Sequence, residues 1–315
     1  MKKIVAVLLV LLCICGCSNA NSHAKYRIGV VQLVQHDALD KATQGFVDVL
    51  KQEYGDDIDI DVQIASGDSN TCSTIATNFV ADGFDLIMAN ATPALQATAN
   101  ATNKIPVLGT SVTEYGVALD IDNFDGLVGT NISGTSDLAP LDRQAQMILD
   151  LFPDTKKVGL LYCNSEANSK YQVNEVEKYL NAKGIETYKY AFDDSNNVDA
   201  VAQSACEEID VLYIPTDNTC ASNGGIIANA ANRKNIPIIA GEKDTLIKCE
   251  GVATLSIDYY ELGQVTGNMA IRILNGEDIT SMKIETCSNP TSMYIKEKAD
   301  KFGIVVPSDY VEIKE

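Results

Sequence analysis

The stretch FDLIMANATPALQATANATNKIPVLGTSVT, Phe84 to Thr113, contains one complete repeat of the architecture. Phe84–Ala89 is a short apolar run that reads as a buried strand, and Asn90-Ala91-Thr92 is a polar turn. Pro93 then opens a helix that runs to Thr102, in a first turn where proline's missing N–H costs nothing. Val107–Gly109 reads as the next strand, followed by the hydroxyl-rich turn Thr110-Ser111-Val112-Thr113. Strand, helix and strand in this order predict a parallel pair with a right-handed crossover.

The same alternation extends in both directions. Upstream, Tyr26–Leu33 and Ile58–Ala65 read as strands, with helices predicted over Ala38–Tyr54 (Leu39, Phe46, Val49 and Leu50 inward) and Ser69–Ala81. Downstream, a short strand at Leu127–Thr130 closes the first run, and the pattern restarts near Asn131–Asp137. Helices are predicted at Asp137–Leu151, Glu166–Ala182, Val198–Cys206, Cys220–Lys234 (softened at Gly224-Gly225) and Tyr259–Leu274. Strands are predicted at Lys157–Cys163, Glu186–Ala191, Val211–Pro215, Pro237–Ala240 and Val252–Asp258. Two such runs predict two α/β domains with helices on both faces of each sheet. Each strand ends in a short polar turn, and in open parallel sheets that carboxyl edge is where ligands bind. Two edges facing one another make a cleft.

Composition narrows the function. A chain of 315 residues with 46% hydrophobic and 21% charged residues can bury a large core. Acidic residues outnumber basic ones 43 to 24, for a formal charge of −19, and no Lys/Arg cluster exists to form a nucleic-acid footprint. Two histidines and nine cysteines without a Cys-x-x-Cys pair give no pattern for a metal site, and no cofactor is expected. There is no Gly-x-Ser-x-Gly elbow and no GxxxxGK[ST] loop. Carboxylates are too abundant to single out a hydrolytic pair, and His36 without a visible catalytic partner reads as a polar residue at the cleft rim.

The first sixteen residues read as an address: Lys2 and Lys3, then the apolar run Ile4–Ile14. The run is shorter than the roughly 20 residues of a membrane anchor. It ends Cys15-Gly16-Cys17 before a polar stretch, which resembles a lipobox with Cys17 as the lipidated residue; an ordinary secretory signal is the alternative. Residues 17–25 then form a tether. The remaining Cys72, Cys163, Cys206, Cys220, Cys249 and Cys287 are an even set that either pairs or stays as buried thiols.

The turns also suggest a ligand. Asn90 and Thr92 precede a helix N-terminus suited to a carboxylate, and Ser111 adds a donor on the neighbouring strand end. Asp217, Glu242 and Asp258 follow strands of the second run and supply acids for an ammonium, or else cap the next helix. Arginine is missing from these turns and tryptophan from the whole chain, which disfavours dianions and stacked sugars. A zwitterion with an apolar side chain fits.

The motifs GVVQLVQHDALDKATQGF, NATPALQA, GTSVT and TNISGTSD, continued by LYCNSEANSKYQV, YIPTDNT, IPIIAGE and ATLSIDYYELGQVTG, resemble ABC transporter substrate-binding proteins of the tryptophan/tyrosine (TrpX-like) family. The resemblance spans about Tyr26 to Pro307, with Cys163 and Cys220 as local departures. It implies an α/β type I periplasmic-binding-protein fold: two doubly wound lobes around a cleft, joined by three crossing strands. Lobe one is then expected at 26–133 with 258–283, and lobe two at 134–257 with 284–315. The resemblance further implies an aromatic or related amino acid as ligand and an ABC permease and ATPase as partners. The protein would be a monomer outside the cytoplasm, touching the membrane through its lipid alone. By position it carries over Gln32, Asn90, Thr92, Ser111, Asp137, Ser165, Asn168, Thr216, Asp217, Asn218, Glu242 and Asp258 as ligand-binding residues. A sensor of the same fold and an extracytoplasmic hydrolase are the rival readings.

Overall fold

The structure, a computed structural model, describes residues 24–314; the expected signal segment and Cys17 lie outside them. Two sheets carry the chain. The first is built from β1 (Tyr26–Gln32), β2 (Ile58–Ile64), β3 (Leu86–Asn90), β4 (Val107–Val112) and β5 (Ile132–Ser136), in the order β2-β1-β3-β4-β5, all parallel. The second contains β6 (Lys157–Cys163), β7 (Glu186–Phe192), β8 (Val211–Ile214), β9 (Ile238–Ala240), β10 (Ala253–Ser256), β11 (Thr291–Tyr294) and β12 (Val311–Glu312). Its order is β12-β11-β10-β9-β8-β6-β7, parallel except where β11 meets β10. Strands β3 and β4 are buried at every position, as central strands covered on both faces must be. Edge strands β2 and β7 alternate with Asp, Gln, Glu and Lys, side chains that discourage pairing with another chain.

Both sheets reverse strand order beside their first strand, between β1 and β3 and between β6 and β8. At such a switch point the flanking helices leave toward opposite faces and open a crevice. The crevices face each other, since residues of both lobes line one cavity. The chain crosses between lobes after β5, after β10 and along the segment before β11. There Glu285 bonds the backbone of Gly134 and Ser136. The break expected between 133 and 134 falls inside β5, which pairs wholly with the first sheet.

The helix Tyr259–Leu274 returns to the first lobe and packs along Asp37–Tyr54. The approach is close enough to require glycine. A Cβ on Gly263 would lie 2.0 Å from the Ala42 carbonyl oxygen, and one on Gly45 2.1 Å from that of Tyr260. This seam fixes the start of Asp37–Tyr54, where His36 and Lys41 stand. Gln32 and Asn90 secure the same end from the sheet side. Gln32 Nε2 donates to Asp40 (2.6 Å), Thr43 donates to Gln32 Oε1 (2.6 Å), and Asn90 Nδ2 donates to the Leu39 carbonyl (2.8 Å).

Several predicted elements differ. No strand forms at Leu127–Thr130, where Leu127 makes a single bridge to Lys283. The helix predicted from Asp137 begins at Leu141 with Pro140 before it, leaving 137–140 outside any helix or strand. The helix predicted over Cys220–Lys234 is two helices, Asn218–Ser222 and Gly224–Lys234. All six cysteines among the described residues are free thiols, five of them buried.

Candidate functional site

Between the lobes lies a narrow, closed cavity whose water-accessible volume is only about 10 Å³. The first lobe contributes His36, Ala38, Leu39, Ser111 and Thr113, with Asp137 at its exit to the second lobe and Tyr259 at the return. The second contributes Asn168, Thr216, Asp217, Asn218, Ala221, Glu242 and Thr245. Apart from Ser111, near the end of β4, every polar member sits in a turn after a strand or in the helix that follows.

Two strand ends of the first lobe hold unusual backbone. Ala91, after β3, has φ 92°, and Ser111, at the end of β4, has φ 52°. Non-glycine residues rarely adopt positive φ, and such strain gathers where a side chain must be aimed. Ser111 lies where the β4–β5 register slips between Gly109 and Val112, which turns its hydroxyl out of the ladder. That hydroxyl is buried and has no hydrogen-bond partner in the protein.

Unpartnered buried polar atoms mark the whole cavity. Besides Ser111 Oγ they include His36 Nδ1, Asp137 Oδ1, Asn168 Oδ1 and Thr245 Oγ1. Each would cost about 1–3 kcal/mol if left unsatisfied. Such a cluster is what a polar ligand completes. Asp137 is the informative one. Its Oδ2 accepts from the Tyr259 hydroxyl (2.8 Å), its Oδ1 accepts from nothing, and the residue is only 4% exposed. Burial raises its pKa, partly offset by the hydrogen bond from Tyr259.

The other acids are engaged. Asp217 Oδ1 and Oδ2 accept from the backbone N–H groups of Cys220 (2.8 Å) and Cys163 (2.6 Å), tying β6 to the helix after β8. Both oxygens of Glu242 cap Lys243–Lys248, accepting from the N–H groups of Asp244 and Thr245. Burial and the neighbouring Asp244 push the Glu242 pKa up to about 7. Glu166 accepts from the N–H groups of Asn218 and Thr219 and from both of their side chains; burial and nearby Asp217 raise its pKa.

Of the twelve residues expected in the site, Ser111, Asp137, Asn168, Thr216, Asp217, Asn218 and Glu242 line the cavity. The other five do not. Gln32 is spent on the helix anchor described above, and Asn90 joins it through Nδ2 while its buried Oδ1 has no partner in the protein. Thr92 is buried behind the lining. Ser165 is exposed and donates to the Asp193 carbonyl. Asp258 is exposed and caps Tyr259–Leu274 through the N–H groups of Tyr260 and Glu261. Tyr259 and Thr245 line the cavity without having been expected. Tyr259 was concealed by its place in a helix that belongs to the other lobe, and Thr245 by its place inside a helix rather than a strand-end turn.

The lobes are closed on each other. Lys41 of the first makes a 2.7 Å ion pair with Asp244 of the second, Lys248 lies 3.7 Å from Asp37, and His36 Nε2 lies 3.2 Å from Asn218 Oδ1. Both lysines near the rim are thus held by carboxylates, and no cationic side chain lines the cavity itself.

Two lobes that clamp a polar cavity at their strand ends define a protein that encloses a small solute. A family model described as "ABC transporter substrate binding protein" matches residues 27–312, and the chain belongs to that family. It is 38% identical over 274 residues to the "Tyrosine-binding protein" of Clostridioides difficile (strain R20291), covering 85% of this chain and 78% of that protein. Among solved structures, the ABC domain in complex with L-Trp from Streptococcus pneumonia superposes with TM-score 0.87 at 30% identity, covering 92% of this chain and 99% of that one. A ligand-free, open structure of a substrate binding protein with adhesive properties from Clostridium difficile gives TM-score 0.69 at 37% identity, with the same coverage of both chains. The protein more alike in sequence is less alike in shape, as expected when one pair of lobes is open and the other closed. The fold is the type I periplasmic-binding-protein fold, and the protein is an ABC substrate-binding protein of the tryptophan/tyrosine family, not an enzyme. Proteins of this class work outside the cytoplasm. No helix among the described residues is long and apolar enough to cross a membrane.

Proposed function

We propose that this protein is the receptor of an ABC importer, binding an aromatic amino acid (Trp, Tyr or Phe) between its lobes and delivering it to a membrane permease driven by an ATPase. The observation that carries the reading is the free Oδ1 of Asp137, a buried carboxylate oxygen in a cavity lined by no cation. An α-ammonium supplies both the charge and the donor. Ser111, and Thr113 beside it, offer hydroxyls to the α-carboxylate, while Ala38, Leu39 and Ala221 give the cavity its apolar surface. The relatives named for tyrosine and solved with L-Trp support the ligand class.

Isothermal calorimetry with the twenty amino acids on purified protein tests this. Tyrosine, tryptophan or phenylalanine is expected to bind, and to raise stability by about 2.7 kcal/mol at a hundred times its Kd. Binding only to acidic or basic amino acids, or to none, would overturn the reading.

Cys17 is proposed as the lipidated residue, on the strength of the apolar run and Cys15-Gly16-Cys17. Cells expressing Cys17→Ser are expected to show the protein in the soluble fraction, with palmitate labelling lost. Retention of label and of sedimentation with membranes would refute the anchor.

A further inference from the structure

His36 is 6% exposed, lines the cavity, and precedes the helix Asp37–Tyr54 without capping it. Its ring bonds across the cleft to Asn218, and the surroundings of that amide fix which ring nitrogen carries the proton. Asn218 Nδ2 donates to Glu166 Oε2 at 2.6 Å, and the Glu166 carboxyl receives four further donors, so it acts as an acceptor toward this amide. Asn218 therefore presents its oxygen to the imidazole, and His36 Nε2 must donate to it. Burial pushes the His36 pKa down and keeps the ring neutral. Nδ1 is then a bare acceptor, buried and without a protein partner.

Two free acceptors lining the cavity, Asp137 Oδ1 and His36 Nδ1, stand in different settings. Asp137 lies at the crossing between lobes, beside Tyr259. His36 lies toward Glu166 and Asn218, which also line the open pocket at the cleft mouth. With the ammonium on Asp137, the opposite end of the ligand is its side chain. We propose that His36 is a specificity-determining residue whose Nδ1 accepts a hydrogen bond from a donor on the ligand's ring, a phenol O–H or an indole N–H, while its Nε2–H engages the second lobe. The assignment rests on the aromatic amino-acid reading above.

Two substitutions separate the roles. His36→Gln can still donate toward Asn218 but has no acceptor at the Nδ1 position; His36→Asn keeps an acceptor there and gives up the reach across the cleft. Calorimetry with L-tyrosine and L-phenylalanine is the measurement. The wild type is expected to prefer tyrosine. His36→Gln should weaken tyrosine about tenfold, the worth of one buried hydrogen bond, and leave phenylalanine within about twofold. His36→Asn should weaken both by a common factor and keep the preference. Equal loss of both ligands in His36→Gln, no loss of either, or a wild type that binds both without preference would overturn the His36 assignment and leave the function intact. A wild type that binds no aromatic amino acid would overturn the function, and this assignment with it.

Discussion

Asp137→Asn is expected to weaken amino-acid binding by about 2–5 kcal/mol, roughly thirty- to several-thousandfold, while circular dichroism remains that of the wild type. The size follows from burial. The ligand ammonium would enter a site without water to replace the lost charge, and the amide can present an N–H where an acceptor is needed. Tyr259 can still donate to the amide oxygen, so the fold should survive. Affinity should also depend on pH with a definite sign. The ammonium requires ionised Asp137, whose pKa is raised, so binding should weaken as the pH falls through that raised value. Calorimetry across pH on the wild type and the variant decides both points. If Asp137→Asn binds as tightly as wild type, the ammonium is held elsewhere.

Glu242 is expected to make the ligand-free protein less stable at neutral than at mildly acidic pH, the reverse of the usual behaviour of paired carboxylates. Its pKa rises from 4.5 to about 7 on folding. Between those values the folded state holds a proton that the unfolded state has released. Stability from this group is therefore complete below about pH 4.5, declines as the pH rises, and is lost above about pH 7. The change is on the order of 3 kcal/mol for a group this buried. Burial raises the pKa values of Asp137, Asp217 and Glu166 as well, adding in the same direction. Urea unfolding at pH 5 and pH 8 should show the loss, and Glu242→Gln should reduce it and be the more stable protein at pH 8. Stability that instead climbs from pH 5 to pH 8, equally in both proteins, would contradict the assignment.

Much of the fold was legible because the central strands carry their own evidence. Runs such as Leu86–Asn90 and Val107–Val112, buried on both faces, have no other comfortable environment, and the polar turns after them mark the ligand edge. The C-terminal elements carried less. β11 and β12 are half-buried or exposed, short, and joined to the sheet by an antiparallel contact that no local pattern announces. Within the site, strand-end position was readable but the use of each carboxylate was not. Asp217, Glu242 and Asp258 have the same sequence context as a ligand-binding acid, and all three cap the helix that follows, Asp217 with its second oxygen on the N–H of Cys163. Asp137 escapes that duty for a local reason. Pro140 delays the helix to Leu141, four residues on, and the carboxylate is left with no helix to cap.

The glycine seam between Asp37–Tyr54 and Tyr259–Leu274 bears on how this protein could acquire a new preference. Gly45 and Gly263 do not line the cavity, yet any side chain there must push the first helix away from the second. That helix carries Lys41, and His36 stands at its start, so the displacement would be felt at the mouth of the cavity. Variation at the seam would therefore register as altered closure for every solute alike. Variation at His36, Ala38, Leu39 or Ala221 would trade one solute for another. Libraries meant to redirect this receptor belong on the second set, with the seam held constant.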